Sequence, residues 1–259
     1  MLAFLFVNPL DRFDIRGKSA LVVGATGALG RTAAQTLSGM GARITIASGN
    51  LVELDAVAAQ TGAANIVNRR PETAEDADAM VEACGRIDIV VVASGLNIVA
   101  MAPELDPDDW AKVMDANVRG SWLVARAAGK RMIAQGDGGK IVLVSSTRGK
   151  LGHPMGYSAY CPSKAAVDGL VRSLACEWGQ HGINVNGIGP TVFRSKLTEW
   201  MFGEDEKASA FRKGVLSRIP LGRLGEPDDL AGVLAFLVSP ASDFCTGQIL
   251  YVDGGYTAG

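Results

Sequence analysis

Ser19-Ala-Leu-Val-Val-Gly-Ala-Thr-Gly-Ala-Leu-Gly30 is the stretch that decides the fold. Residues 19–23 carry no charge and read as a buried strand. The strand runs straight into a glycine-rich turn, and an amphipathic helix follows to about Met40. A turn between strand and helix aims backbone N–H groups and the positive helix end at one point, a geometry that holds a pyrophosphate. Gly24 allows the tight turn, and Gly30 lets helix and strand pack closely. Alone, such a turn is a weak signal; its place after the first strand gives it weight.

Outward from this stretch the alternation repeats. Strands are predicted over 43–47, 65–68, 87–93, 140–145, 183–189 and 248–252. Helices are predicted over 51–60, 73–83, 106–135, 157–180 and 226–238. Asp106-Pro107-Asp108-Asp109 is a strong helix start, with an Asp cap, proline at the first helical position and carboxylates at the positive helix end. Nearly all-apolar strands alternating with helices indicate an α/β fold of the Rossmann type: a doubly wound parallel sheet of seven strands, with helices on both faces. The chain of 259 residues has no repeat, low-complexity tract or linker, so one domain over 1–259 is expected. Residues 191–217 leave the sheet rhythm and bring Trp200, Met201, Phe202 and Phe211 around a charged 204–207; they are expected to form a substrate lid.

Composition narrows the function. Hydrophobic residues make up 48% and charged residues 20%, enough apolar content for a substantial core. Net charge is −2 with no basic block, which argues against nucleic acid as a partner. Four cysteines with no CxxC pair, and two histidines, argue against a metal site; the cysteines read as reduced, packed residues. The apolar run 1–7 is too short to span a membrane and lacks the basic and small-residue flanks of a signal peptide. It is expected to pack as a strand-like extension on the body or on a neighbouring subunit. The expected compartment is the cytoplasm, without a membrane partner.

Chemistry concentrates at Tyr160-Cys-Pro-Ser-Lys164. Positions i and i+4 share a helix face, so phenol and ammonium stand side by side. A tyrosine titrates near pH 10, and a cation within a few Å lowers that value toward the working range. Ser145-Ser146 ends a strand, and since successive strand residues face opposite ways, one of the two can face the site. Asn117 lies earlier in the chain. Tyr157 also stands near the helix start, but Cys161 follows four residues later, so it reads as substrate-loop packing.

With these residues in place the chain resembles the short-chain dehydrogenase/reductase family, in its single-domain NAD(P)-dependent branch, from about 13 to 256. The family turn Thr-Gly-x-x-x-Gly-x-Gly is met by 23–30, with Val23 for Thr and Ala28 for the middle glycine, Gly27 standing beside it. Of the family's Asn-Asn-Ala-Gly, Val92-Ala93-Ser94-Gly95 keeps the glycine. Asn117, Ser146, Tyr160 and Lys164 match the catalytic set, and Gly149 three residues after Ser146 favours it over Ser145. The resemblance implies hydride exchange between a secondary alcohol or ketone and NAD(P). Tyr160 would be the acid/base, and Lys164 would lower its pKa and bind the nicotinamide ribose. Ser146 would hold the substrate oxygen, and Asn117 would anchor a water linking Lys164 to solvent.

The resemblance also implies a cofactor surface. It comprises Gly24, Thr26, Gly27, Ala28, Leu29, Gly30, then Ser48, Gly49, Asn50, Asn68 and Arg69. Ala93, Ser94, Gly95, Tyr160 and Lys164 continue it, with Pro190, Thr191 and Val192 at the nicotinamide, near which Asn186 also falls. No acid and no arginine stand at 47–50, so nothing repels a 2′-phosphate, and Arg69-Arg70 lie just past the third strand; the expectation tilts to NADP over NAD. Ser146, Arg148, His153, Tyr157 and Trp200 are the expected substrate contacts, with no metal. Similar members include gluconate 5-dehydrogenases and 3-oxoacyl-thioester reductases, so the small-molecule substrate is expected to be a sugar acid or another polar carbonyl compound. A homotetramer through the long helices and the C-terminal strand is implied. The competing reading is a catalytically silent dinucleotide-binding protein acting through oligomer contacts.

Overall fold

The computed structural model describes residues 8–195 and 198–259; the expectation for the run 1–7 lies outside them. Seven parallel strands form one sheet: β1 (Ser19–Val23), β2 (Arg43–Ser48), β3 (Asn65–Asn68), β4 (Ile89–Val92), β5 (Gly139–Val144), β6 (Ile183–Pro190) and β7 (Ile249–Val252). Their order is β3-β2-β1-β4-β5-β6-β7. The chain therefore moves outward one way from β1, then returns to its other side at β4. That reversal opens a crevice at the carboxyl ends of β1 and β4, where doubly wound sheets bind ligands.

Alternation in β1 explains the two covered faces. Leu21 and Val23 point to one side, where they join Met80 of α3 (Ala74–Glu82), Val124, Ala128 and Met132 of α5 (Gly120–Gln135), and Val167 and Val171 of α6 (Tyr160–Trp178). Ala20 and Val22 point to the other, against Ala33 and Leu37 of α1 (Ala28–Gly39), Leu54 and Val57 of α2 (Leu51–Thr61), and Leu234 and Leu237 of α8 (Ala231–Val238). Each of the fully buried Val, Leu and Met side chains contributes about 1.5–3 kcal/mol by leaving water. Polar chemistry is thereby displaced to the strand ends.

Helix boundaries follow local capping. Asp106 accepts from the Asp108 N–H at 2.8 Å and Pro107 starts α4 (Pro107–Met114). Thr73 and Asp76 form a reciprocal capping box at α3. The helix predicted over 106–135 is in fact two, α4 and α5, joined by a π turn at Asp115–Arg119. The 157–180 helix starts three residues later, at Tyr160. Within 191–217 the described residues include a short turn at Glu199–Phe202 and α7 (Glu206–Leu216). A third, small apolar cluster lies outside the sheet: Ile219, Leu224 and Tyr256, with Leu151, Val192, Phe202 and Leu216 against it.

Gly30 shows how tightly α1 sits on the turn. A Cβ there would lie 2.1 Å from the Gly24 carbonyl oxygen, a backbone atom with nowhere to move. Gly30→Ala is expected to cost about 1–3 kcal/mol, lowering Tm by several degrees. At Gly39, on the same helix, a Cβ meets nothing within 4 Å, so Gly39→Ala should leave Tm unchanged or slightly raised. Thermal denaturation of the two variants side by side checks this; equal Tm values would contradict the packing.

Candidate active site

The site is assembled at the carboxyl ends of β4, β5 and β6. Asn117 sits in the π turn, fully buried. Single π turns inside helices re-aim a side chain inward. Its Oδ1 accepts from the Leu96 N–H at 2.7 Å, and its Nδ2 donates to the Leu96 carbonyl at 2.8 Å and to Ser163 Oγ at 2.9 Å. Ser163 Oγ in turn donates to the Tyr160 carbonyl at 2.8 Å. One amide thus ties the loop after β4 to the first turn of α6.

Lys164 is 4% exposed, and its Nζ donates to the Val144 carbonyl at 2.9 Å. Burial pushes the ammonium down to about 8, with Asp168 opposing. The Tyr160 ring lies with Nζ 5.7 Å from its centroid. Burial pushes the phenol up to about 12, against a hydrogen bond from Ser146 and the more distant Arg148. This corrects the expectation that Lys164 holds the phenol low. The i, i+4 spacing brings the two groups together, but the ammonium is directed to the end of β5, and desolvation is the largest influence on the phenol.

Strand alternation separates the two serines. Ser145 Oγ donates to Asp168 Oδ1 at 2.5 Å, under α6. Ser146 turns the other way: its Oγ accepts from the Arg148 N–H at 3.1 Å and reaches the Pro190 carbonyl at 3.4 Å, beside Tyr160. Asn186 is mid-strand in β6, not at the nicotinamide end. Its amide donates to the Cys245 carbonyl at 2.7 Å and accepts from the Gln248 N–H at 3.0 Å. Pro190 closes β6; Thr191 then lines a 150 Å³ cavity, and Val192 packs on the small cluster around Tyr256.

The turn after β1 fits a dinucleotide. Gly24 has φ +81°, and a Cβ on it would lie 2.5 Å from the Ser94 nitrogen, so turn and β4 end meet backbone to backbone. Ala28, Leu29 and Gly30 open α1, where the first N–H groups have no partner inside the helix. Thr26 and Ser48 hydroxyls are 2.7 Å apart. Ser94 Oγ is buried without a hydrogen-bond partner among the described residues. A Cβ on Gly95 would stand 3.2 Å from Asn117 Oδ1 and 3.5 Å from Lys164 Nζ, so the glycine keeps the space between those groups open. Ala93 hydrogen-bonds the β1 end, Asn50 caps α2, and Asn68 lies opposite Ser48. Arg69 is bound to Asp76 at 2.9 Å. No group of three His, Cys, Asp or Glu among the described residues could hold a metal ion.

On the substrate side, the His153 ring lies 4.3 Å from Tyr157, and Tyr157 meets Tyr160 edge-on at 6.0 Å. Arg148 donates to the Gly152 carbonyl and to the Tyr256 hydroxyl, both at 2.9 Å. Arg218 lies over the same Tyr256 ring at 4.4 Å. Burial, then Arg148 and Arg218, push the His153 imidazole down, keeping it neutral. Tyr256 and Arg218 have no signal in the sequence, since Tyr256 meets Arg148 across 108 positions. Trp200 stands apart, 46% exposed and paired with Phe211 at 5.0 Å.

Residues 24–257 match the protein family described as Enoyl-(Acyl carrier protein) reductase. An uncharacterized oxidoreductase of Mycobacterium tuberculosis is 54% identical, over 96% of this chain and 94% of its own. The gluconate 5-dehydrogenase of Gluconobacter oxydans is 34% identical, over 95% of this chain and 97% of its own. Among solved structures, a gluconate 5-dehydrogenase from Burkholderia cenocepacia in complex with NADP and tartrate superposes with a TM-score of 0.89. It is 34% identical, over 97% of this chain and 100% of that one.

The two displaced pKa values carry opposite signs into stability. Between about pH 8 and 10.5 the unfolded chain holds the Lys164 proton and the folded chain does not, so stability rises with pH. Between about pH 10 and 12 the folded chain keeps the Tyr160 proton that the unfolded chain has lost, so stability falls. Lys164→Met is expected to raise stability at pH 7 by up to about 3 kcal/mol, less the lost bond to Val144, with the gain shrinking toward pH 10. Melting curves at pH 7 and pH 9.5 check this; a gain that does not shrink would contradict the buried cation.

Proposed function

The chain belongs to the short-chain dehydrogenase/reductase family, and on that premise we propose that Ser146, Tyr160, Lys164 and Asn117 carry an alcohol–ketone interconversion on a polar, anionic substrate of the sugar-acid kind. It is an NAD(P)-dependent oxidoreductase. The observation that carries the assignment of residues is the convergence of all four on one strand-end rim, with Asn117 tied through Ser163 to the first turn of the helix that bears Tyr160 and Lys164. Four assembled groups argue against a catalytically silent dinucleotide binder.

The nicotinamide ring, when bound, gives or takes the hydride. In the reducing direction the carbonyl π pair moves to the substrate oxygen, which takes a proton from Tyr160 Oη. A phenol near 12 is fully protonated at neutral pH and ready for that step. Ser146, beside the phenol, holds the same oxygen by a directional hydrogen bond. Lys164 lies behind the ring as a fixed positive charge that favours the phenolate left after transfer. Both donors of Asn117 are engaged, but Oδ1 keeps a lone pair toward the space before Gly95, where a water would bridge it to Lys164 Nζ. That water would return the proton from solvent.

The anionic substrate is supported by Arg148 and Arg218, which share the Tyr256 ring and pair with no carboxylate among the described residues. The gluconate 5-dehydrogenases to which the chain is similar point the same way. Val192, Phe202 and Leu216 pack with the Tyr256 cluster, and the 191–217 segment that carries them would close over this side of the single 1–259 domain as its lid. Assembly as a homotetramer in the cytoplasm belongs to the same proposal, with exposed Trp110 and Trp122 on α4 and α5 and exposed Phe244 before β7 as the faces to be covered.

Tyr160→Phe is expected to lower kcat by about 10²–10⁴-fold while leaving dinucleotide Kd within about threefold. Arg218→Gln should raise KM for a sugar acid by about tenfold and leave the matching polyol unchanged. Steady-state kinetics with that substrate pair check both; near-normal turnover in the phenylalanine variant would remove Tyr160 from the mechanism. Light scattering should give four times the 27.0 kDa chain mass, and a monomer would exclude the assembly.

A further inference from the structure

β2 and β3 end side by side, with Ser48 opposite Asn68. Beyond these ends lies an open cleft of about 320 Å³ lined by Gly49, Asn68, Arg69, Arg70, Glu72 and Asp76. The end of the second strand is where a dinucleotide fold discriminates: an acid there accepts from a ribose 2′-OH, and an arginine nearby accommodates a 2′-phosphate. Residues 47–50 of this chain supply neither group.

Arg70 reaches that place from the next strand. A Cβ on Gly49 would lie 2.5 Å from Arg70 Nε and 2.8 Å from its Cγ, so the arginine lies flat across the glycine. Gly49 has no positive φ, so the glycine is needed for space and not for backbone freedom. The two adjacent arginines have different duties. Arg69 is committed to Asp76, whose other oxygen closes the α3 capping box. The Arg70 side chain has no hydrogen bond or ion pair among the described residues, and Glu72, on the same cleft, forms no ion pair with it. The bonded hydroxyls of Thr26 and Ser48 join the glycine-rich turn to this spot.

We infer that Arg70, laid across Gly49, binds the 2′-phosphate of the adenosine ribose and makes NADP(H) the cofactor in preference to NAD(H). The assignment rests on the dinucleotide reading above and deepens it. A guanidinium offers forked N–H donors that match phosphate oxygens, and an unpaired one loses no internal partner on binding. Arg69, although adjacent, would have to abandon Asp76 to do the same.

Quenching of tryptophan fluorescence by NADPH and NADH, and calorimetry with 2′,5′-ADP and 5′-ADP, test this without turnover. The wild-type protein should bind each 2′-phosphorylated ligand at least about tenfold more tightly than its partner. Arg70→Gln should weaken NADPH and 2′,5′-ADP by about 10- to 100-fold and leave NADH within about twofold. Gly49→Asp, which displaces Arg70 and adds a carboxylate, should invert the preference. Equal affinity of the wild-type protein for both dinucleotides, or equal weakening of both by Arg70→Gln, overturns the inference and leaves the oxidoreductase reading standing. Binding of neither overturns both.

Discussion

A single buried amide holds the chemical end of this molecule together. Asn117 satisfies both backbone groups of Leu96 and the hydroxyl that fixes the start of α6, from a position with no access to solvent. Losing it would leave the buried Ser163 hydroxyl and both Leu96 backbone groups without this partner, at about 1 kcal/mol each. The π turn exists in the same economy of space: an ordinary helix from 107 to 135 has no reason to widen at 115–119 unless a side chain there is required inside. The loop after β4 and the helix that bears Tyr160 are therefore tied into one unit.

That rigidity explains how a cation can be kept under the site. Lys164 has one carbonyl partner and a carboxylate at a distance, and it is held at a value near 8 where a lysine in water sits above 10. A buried charge this poorly compensated costs stability, and a fold tolerates it where the surroundings cannot relax. Beneath it, Ser145 and Asp168 form a second buried polar pair, with a Gly149 Cβ 2.6 Å from the Asp168 carboxylate excluded by the absence of a side chain. The burial that raises the Tyr160 phenol keeps it protonated at neutral pH, until a bound positive ring or an anionic oxygen changes the field.

Local features were legible in the sequence. The seven strands, the glycine turn and the tyrosine–lysine pair all depend on neighbours within a few residues, and period-2 and period-3.6 patterns report them. Alternation along a strand sets Ser145 and Ser146 on opposite faces, but the preference for Ser146 rests on the resemblance. Other features depend on which segments meet. Arg148 finds Tyr256 and Arg70 finds Gly49 through sheet order and the packing of the C-terminal tail, and no spacing encodes either contact. The Lys164 error has the same root. Helical periodicity tells which groups are near one another, but not which acceptor wins the ammonium or how much water the ring has lost.

The division between what is fixed and what is free in the site follows from this. Tyr160, Ser146 and Asn117 stand on a helix, a strand end and a π turn braced against a covered face of the sheet, and Asn117 cannot shift without breaking a buried bond. The residues proposed to meet the substrate are braced differently. Arg148 and Arg218 rest on Tyr256, which belongs to a small cluster built from the tail, the α7 end and the loop after β6, apart from the sheet cores. Substitutions in that cluster would re-aim two guanidiniums without touching Tyr160 or Ser146. On the proposed assignment, one chemical step can in this way serve different polar substrates, since the Arg148–Arg218 group and the Tyr160–Ser146 group share a rim but not a core.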